Sequence, residues 1–251
     1  MLKIENLAKS FGGVAATNNV TLHFPKGSLS AVIGPNGAGK TTFFNLITGA
    51  FKPDSGRILL DGQDIVGLTP PQIVRRGIGR AFQIARIFPT LTVREALLGA
   101  VQAHLGRHTV VGHRFPLRET EDRANHVMGL VGLTPKANVV SRNLSHGDQK
   151  LLDIALALVL EPRVLLLDEP TAGMGPEERW AMIDTVQRMW EVEKMTLIFI
   201  EHDMSIVFKI AQRITVLSYG SVLAEGTPEE IRRHPEVIKA YLGDEFEAGH
   251  A

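Results

Sequence analysis

The sequence has no cysteine. That removes disulfides, thiolate chemistry and cysteine-bound zinc together, and leaves a reducing compartment as the default setting. It also has no excess of charge of either sign, since 27 lysines and arginines face 27 aspartates and glutamates. Without a net field, nothing gathers nucleic acid or anionic lipid onto the chain as a whole, so any contact with a membrane is expected to come through a protein partner. Long apolar runs are missing as well. The longest, Leu151–Leu160, carries Asp153 and is bounded by Lys150 and Glu161, well short of the ~20 residues that span a bilayer. It reads as a buried core helix. The opening MLKIENLAKSFGG places charges where a secretion signal has its apolar centre, so no targeting segment is expected.

What is present is a chain of 251 residues, long enough to bury about three quarters of its unfolded surface around one large core. Its N-terminal part alternates short strand patterns, LKIENL, VTLHF and SLSAVIG, with glycine- or proline-bearing turns. From Lys40 the period changes: TTFFNLITG reads as a helix ending at Gly49, and KPDSG turns the chain into the strand RILLDG. Helical patterns then dominate from about residue 84 to 160, in TVREALLGAVQAH, LRETEDRANHVMGLVGL and LSHGDQKLLDIALALVL. Strand patterns return in VLLLDEP, TLIFIEH, RITVLSYG and SVLAEG, alternating with helical stretches at 176–193 and 203–211. The whole predicts an α/β domain: a mainly parallel sheet core over about 1–83 and 161–226, an inserted helical subdomain at 84–160, and a helical extension from 227 to 251.

GPNGAGKTT, Gly34 to Thr42, matches G-x-x-x-x-G-K-[ST], follows an apolar strand and opens a helix, which is the context such a loop requires. Its glycines let successive N–H groups turn inward around phosphates while the helix start adds its positive end. Asn36, Gly37, Ala38 and Gly39 are thus candidate phosphate-binding residues. Lys40 would reach the β and γ phosphates, Thr41 would ligate magnesium, and Thr42 would bond the α-phosphate. VLLLDEP ends a hydrophobic strand in Asp168 and Glu169, at the sheet edge where open α/β folds bind ligands. Asp168 would hold magnesium through water and Glu169 would polarise the attacking water. Gln83 in GIGRAFQ and His202 in TLIFIEHD also stand at strand ends, within reach of a γ-phosphate or its water. Phe11 offers a ring on which adenine could stack. NLSHGDQK sets Ser145 as a helix N-cap, with Asp148 three residues on to complete a variant capping box.

Together these pieces resemble the ATP-binding subunits of ABC transporters over nearly the whole chain. By that resemblance GPNGAGKT is the Walker A loop, Gln83 the Q-loop glutamine, LSHGD the signature, LLLDEP the Walker B strand and His202 the switch histidine. The resemblance implies a P-loop NTPase fold with a RecA-like core, an N-terminal antiparallel β part and an inserted helical subdomain. ATP and magnesium would be its cofactors, with Thr41, Gln83 and Asp168 around the metal. Ser145 and Gly147 would face the nucleotide held by a second ATPase subunit. Transmembrane permease subunits would be driven by closure of the pair, and a solute-binding protein would act further off.

More narrowly, GIGRAFQIARIFPTLTVREALLGA, DEPTAGMGPEE, IEHDM and AEGTPEEIRRHPEVIKAYLG look like the ATPases of branched-chain amino acid importers, the larger of their two unlike subunits, with relatives for amides and urea as the alternative. The implied place is the cytoplasmic face of the membrane, and the residues 84–91 are the candidate contact with the permease. An ABC-type ATPase acting on nucleic acid or ribosomes is the rival reading; it would call for long coiled-coil insertions or a second ATP domain. Four positions depart from the family pattern: His146 stands for glycine, Asp148 for glutamine, Gly175 for an aspartate common after Walker B, and Phe11 for the more common tyrosine. His104, His108 and His113 lie in HLGRHTVVGHRF, a segment expected to be solvated, as are the pairs Arg75/Arg76 and Arg232/Arg233; DEFEAGHA reads as a frayed tail.

Overall fold

The computed structural model describes residues 1–105 and 117–242, so His108, His113 and the tail from 243 lie outside the described residues. In chain order the elements are β1 (Leu2–Phe11), β2 (Val14–Phe24), β3 (Leu29–Ile33), α1 (Lys40–Ile47), β4 (Ser55–Leu60), β5 (Gln63–Asp64), α2 (Pro70–Arg75) and β6 (Ile78–Ala81). There follow α3 (Val93–His104), α4 (Arg118–Leu130), α5 (His146–Leu158), β7 (Val164–Asp168), α6 (Pro176–Glu193), β8 (Thr196–Ile200), α7 (Met204–Ile210), β9 (Arg213–Ser218), β10 (Ser221–Gly226) and α8 (Pro228–Arg232). Short helical turns cover Thr134–Lys136, Ser141–Asn143, Pro235–Val237 and Ile238–Leu242. The fold is α/β, with an antiparallel N-terminal sheet and a second, mixed sheet that holds the parallel strands.

Two compact units divide the chain, residues 1–73 with 196–251, and residues 74–195. In the first, β1 pairs antiparallel with both β2 and β4. β3 runs parallel to β8 and β9, and β10 closes back antiparallel on β9. All five residues of β3 are buried, as are all five of β8, which suits the continuous apolar runs that parallel strands show. Phe43 and Phe44 of α1 are fully enclosed; burial of side chains of this size contributes about 1.5–3 kcal/mol each. β1 and β2 run further than LKIENL and VTLHF suggested, meeting at Phe11↔Val14. The break in pattern at Glu5–Asn6 is a shift of register rather than the strand's end: Asn6 has φ 50 and its N–H donates to the Thr21 hydroxyl at 3.0 Å.

In the second unit, β6 and β7 pair in parallel, and buried residues from α3, α4, α5 and α6 supply its apolar interior. α3 begins in a complete capping box, Thr92 with Glu95, and the N–H and hydroxyl of Thr92 hold the Glu95 carboxyl below its ordinary range. Arg75 and Arg76 are exposed, as are Arg232 and Arg233, the former lying with its guanidinium 4.2 Å from the centre of the Phe208 ring.

Candidate active site

In the first unit, β3 delivers the chain into the loop 34–39, and α1 starts directly at Lys40. Gly34 has φ 148, and a β-carbon there would stand 2.1 Å from the Leu217 carbonyl oxygen; Gly39, at φ 99, would meet the Ala16 carbonyl at the same distance. No other residue fits this path. Gly37, by contrast, faces open space. The far side of the loop is fixed by Gly220, whose N–H donates to the Ala38 carbonyl at 3.1 Å. The Lys40 side chain is buried within its own loop, its ammonium donating to the carbonyls of Gly34 at 2.6 Å and Pro35 at 3.1 Å. Thr41 is exposed beside it and Thr42 half-buried. A helix N-terminus, exposed N–H groups at Asn36 and Gly37, a lysine and a hydroxyl form the donor set that a polyphosphate with a hard cation takes.

Phe11 closes β1 at the hairpin and is 43% exposed, with its ring edge-on to Phe51 at 5.2 Å and the Lys9 ammonium 5.4 Å from its centre. His202 follows β8 and is exposed.

In the second unit, β6 and β7 carry their polar ends side by side. Gln83 lies two residues beyond β6, and its amide donates to the Glu169 carboxylate at 2.7 Å. Glu169 follows the buried strand VLLLD and adopts φ 49, a left-handed conformation that costs a non-glycine residue of order 1–3 kcal/mol. Its backbone is held from outside: the Lys150 ammonium donates to the Glu169 carbonyl at 2.7 Å. Asp168 is buried and paired with the guanidinium of Arg80 at 2.6 Å. A cation reaching Asp168 therefore meets a carboxylate that one guanidinium already counters.

Ser145 caps α5, its hydroxyl accepting the Asp148 N–H at 3.2 Å and donating to the Asp148 carboxylate at 2.6 Å. Asp148 is also bonded to the Lys136 ammonium. Burial pushes the Asp148 carboxyl up, but the Lys136 and Ser145 hydrogen bonds outweigh it and hold the group below its ordinary value. Ser145 and His146 are exposed and Gly147 is half-buried.

The structure thus joins Gln83 to Glu169 and gathers the loop 34–42 around Lys40. Three groups escaped the sequence reading: Arg80, Lys150 and Asp153. Arg80 and Asp153 are charged side chains in otherwise apolar stretches and Lys150 borders one, and that anomaly was the signal available for them.

Comparison with known proteins agrees with this geometry. The family model described as ABC transporter matches residues 17–172, and that of the branched-chain amino acid ATP-binding cassette transporter matches residues 221–247. The high-affinity branched-chain amino acid transport ATP-binding protein BraF of Pseudomonas aeruginosa is 41% identical over 250 residues, covering 97% of this chain and 98% of the relative. Among solved structures, the ADP conformation of MJ1267, an ATP-binding cassette of an ABC transporter, superposes with a TM-score of 0.81 at 28% identity over 97% of this chain and 98% of that one. The dimeric post-hydrolysis state of the cassette MJ0796, bound to ADP and phosphate, gives a TM-score of 0.76 at 26% identity over 91% and 99%. On the matched family, the near-full-length relative and the cassette structures, the chain belongs to the ABC transporter family as one of its ATP-binding ATPase cassettes.

Proposed function

We propose that this cassette energises the uptake of branched-chain amino acids through a membrane permease. The observation that carries the solute class is the match at residues 221–247, a segment outside the general ATP-binding region at 17–172. The near-full-length likeness to BraF supports the same reading. Lys40 and the loop N–H groups would offset the charge that develops on the γ-phosphate. The Thr41 hydroxyl, Gln83 and the Asp168 carboxylate are the groups that would hold magnesium, which would supply positive charge against the phosphates. Glu169 would take the proton of the attacking water, with the Gln83 amide aligning its carboxylate and His202 steadying the γ-phosphate. Ser145 and Gly147 would serve a nucleotide held by a second cassette, in keeping with the dimer of the MJ0796 cassette.

The contact with the permease is assigned to residues 84–91. Ile84 is 83% exposed and Phe88 52% exposed there, an apolar surface unusual beside a polar site. Among the described residues no helix is long and apolar enough to cross a membrane; the likeness to transport ATP-binding proteins supports association through permease subunits at the cytoplasmic face as the proposed arrangement.

Two experiments test this. Reconstituted with its permease and binding protein, the complex should hydrolyse ATP faster when leucine, isoleucine or valine is supplied, and stimulation by an amide or urea instead would move the solute assignment. Glu169→Gln should keep ATP binding, trap the ATP-bound dimer and lower turnover by about 100-fold or more, the scale of a lost general base; wild-type turnover would remove Glu169 from that role.

A further inference from the structure

Helix α5 carries, one turn beyond Lys150, a second buried charge. Asp153 is only 5% exposed, yet it makes no use of a side-chain cation for its two strongest contacts: its two carboxylate oxygens accept the main-chain N–H of Phe82 at 2.7 Å and of Arg86 at 2.9 Å. Those two donors bracket Gln83. The Phe82 ring is also fixed, since the guanidinium groups of Arg80 and Arg86 lie 4.8 Å and 4.1 Å from its centre. At its far end the same segment is tied to the stretch leading into α5: Ser141, fully buried, donates both its N–H and its hydroxyl to the Leu91 carbonyl, at 2.9 Å and 2.8 Å. The segment from Phe82 to Leu91 is therefore held at both ends by the chain around the signature.

A carboxylate taken out of water is expensive unless its oxygens are fully bonded. A core that needed only volume at this position would use leucine, as at Leu152. The two N–H groups belong to a loop without strand or helix partners, and each would be costly to bury without an acceptor.

We propose that Asp153 is a positioning residue of the hydrolytic centre: it fixes the backbone on both sides of Gln83, so that the Gln83 amide is presented to Glu169. The inference rests on the roles proposed above for Gln83 and Glu169. Lys150, on the same face of α5, holds the Glu169 carbonyl, so one helix sets both partners of the Gln83–Glu169 hydrogen bond. Any displacement of α5 by its signature end would be felt by both at once.

The test uses the full-length chain in its assembled transporter. Asp153→Asn keeps the shape but places an NH2 group against one of the two N–H donors. It is expected to lower kcat about tenfold while leaving KM for ATP within twofold, and to speed hydrogen exchange of the Phe82 and Arg86 amides. Asp153→Glu, which keeps both acceptor oxygens, should recover most of kcat. Combined with Gln83→Ala, Asp153→Asn should cost nothing further. Wild-type kcat in Asp153→Asn, unchanged amide exchange, or losses that multiply with those of Gln83→Ala would each overturn the inference. Failure of the underlying reading looks different: there Gln83→Ala alone would turn over like the wild type.

Discussion

At the scale of the residue, the informative positions are charges in the wrong company. Asp153 sits in the apolar run Leu151–Leu160, and burial raises its carboxyl from 3.8 to about 6, although the Phe82 and Arg86 N–H groups pull the other way. Because the folded value lies above the unfolded one, ionisation of this group opposes folding. Its stabilising share is complete below pH 3.8 and is lost as pH rises through about 6. The interval between those values corresponds to about 3 kcal/mol. In urea titrations, the stability of the wild type relative to Asp153→Asn should therefore increase by up to about this amount as the pH is lowered from 8 to 4. A difference that stays flat or falls over that range would contradict the burial of an ionisable carboxyl there.

The same scale shows why part of the site was legible beforehand. The phosphate loop is local: its spacing, strand and helix all lie within residues 29–47, so sequence pattern suffices. Asp168 and Glu169 are legible because a hydrophobic strand ends in them. The Arg80–Asp168 pair joins residues 88 positions apart and the Asp153–Phe82 bond joins residues 71 apart. Such contacts follow from how β6, β7 and α5 come together, which no local period encodes.

At the scale of the element, helix starts decide much of the site. α3 and α8 open with reciprocal boxes, Thr92 with Glu95 and Thr227 with Glu230, and Ser145 caps α5. The Ser145 start was read from residue types, and the boxes at Thr92 and Thr227 carry the same local signal, a small hydroxyl three before an acid. The end of β1 was not readable, because Asn6 interrupts the alternation with a left-handed residue inside the strand. α6, like α1 and α4, starts without a side-chain cap. It begins at Gly175, with φ −69 and ψ 165 and no side-chain cap, and Pro176 follows as its first residue. The backbone is extended, which any residue adopts, and a β-carbon at Gly175 would meet nothing within 4 Å. Aspartate there could accept an N–H of the first turn and interact with the helix dipole, while losing backbone freedom only in the unfolded chain. Gly175→Asp is expected to stabilise the fold by a few tenths to about 1 kcal/mol, raising the midpoint of thermal unfolding slightly. A fall in that midpoint would mean that Glu177 and Glu178, already in the first turn, repel the added charge more than the cap returns.

At the scale of the whole molecule, the outward-facing start of α5 has to be explained. Ser145 and His146 are exposed although the helix they open carries most of the longest apolar run of the sequence, and the N–H groups at a helix start suit an anion supplied from outside the helix. In a dimer of two copies of this chain, that ligand would be the γ-phosphate of the nucleotide held by the other copy's phosphate loop, so each of two sites would take a lysine from one copy and a signature from the other. Lys40→Ala then disables the site that a chain holds, and Ser145→Arg the site that its partner holds. Either substitution in both copies should abolish hydrolysis. In an equal mixture of the two variants, half of the randomly formed pairs are mixed, and each mixed pair has one site with both defects and one with none; turnover should return to about a quarter of the wild-type rate. Sites confined to single chains would give no recovery at all, because every chain would carry a defect of its own. The mixture measured beside each variant alone distinguishes the two arrangements in a single ATPase assay.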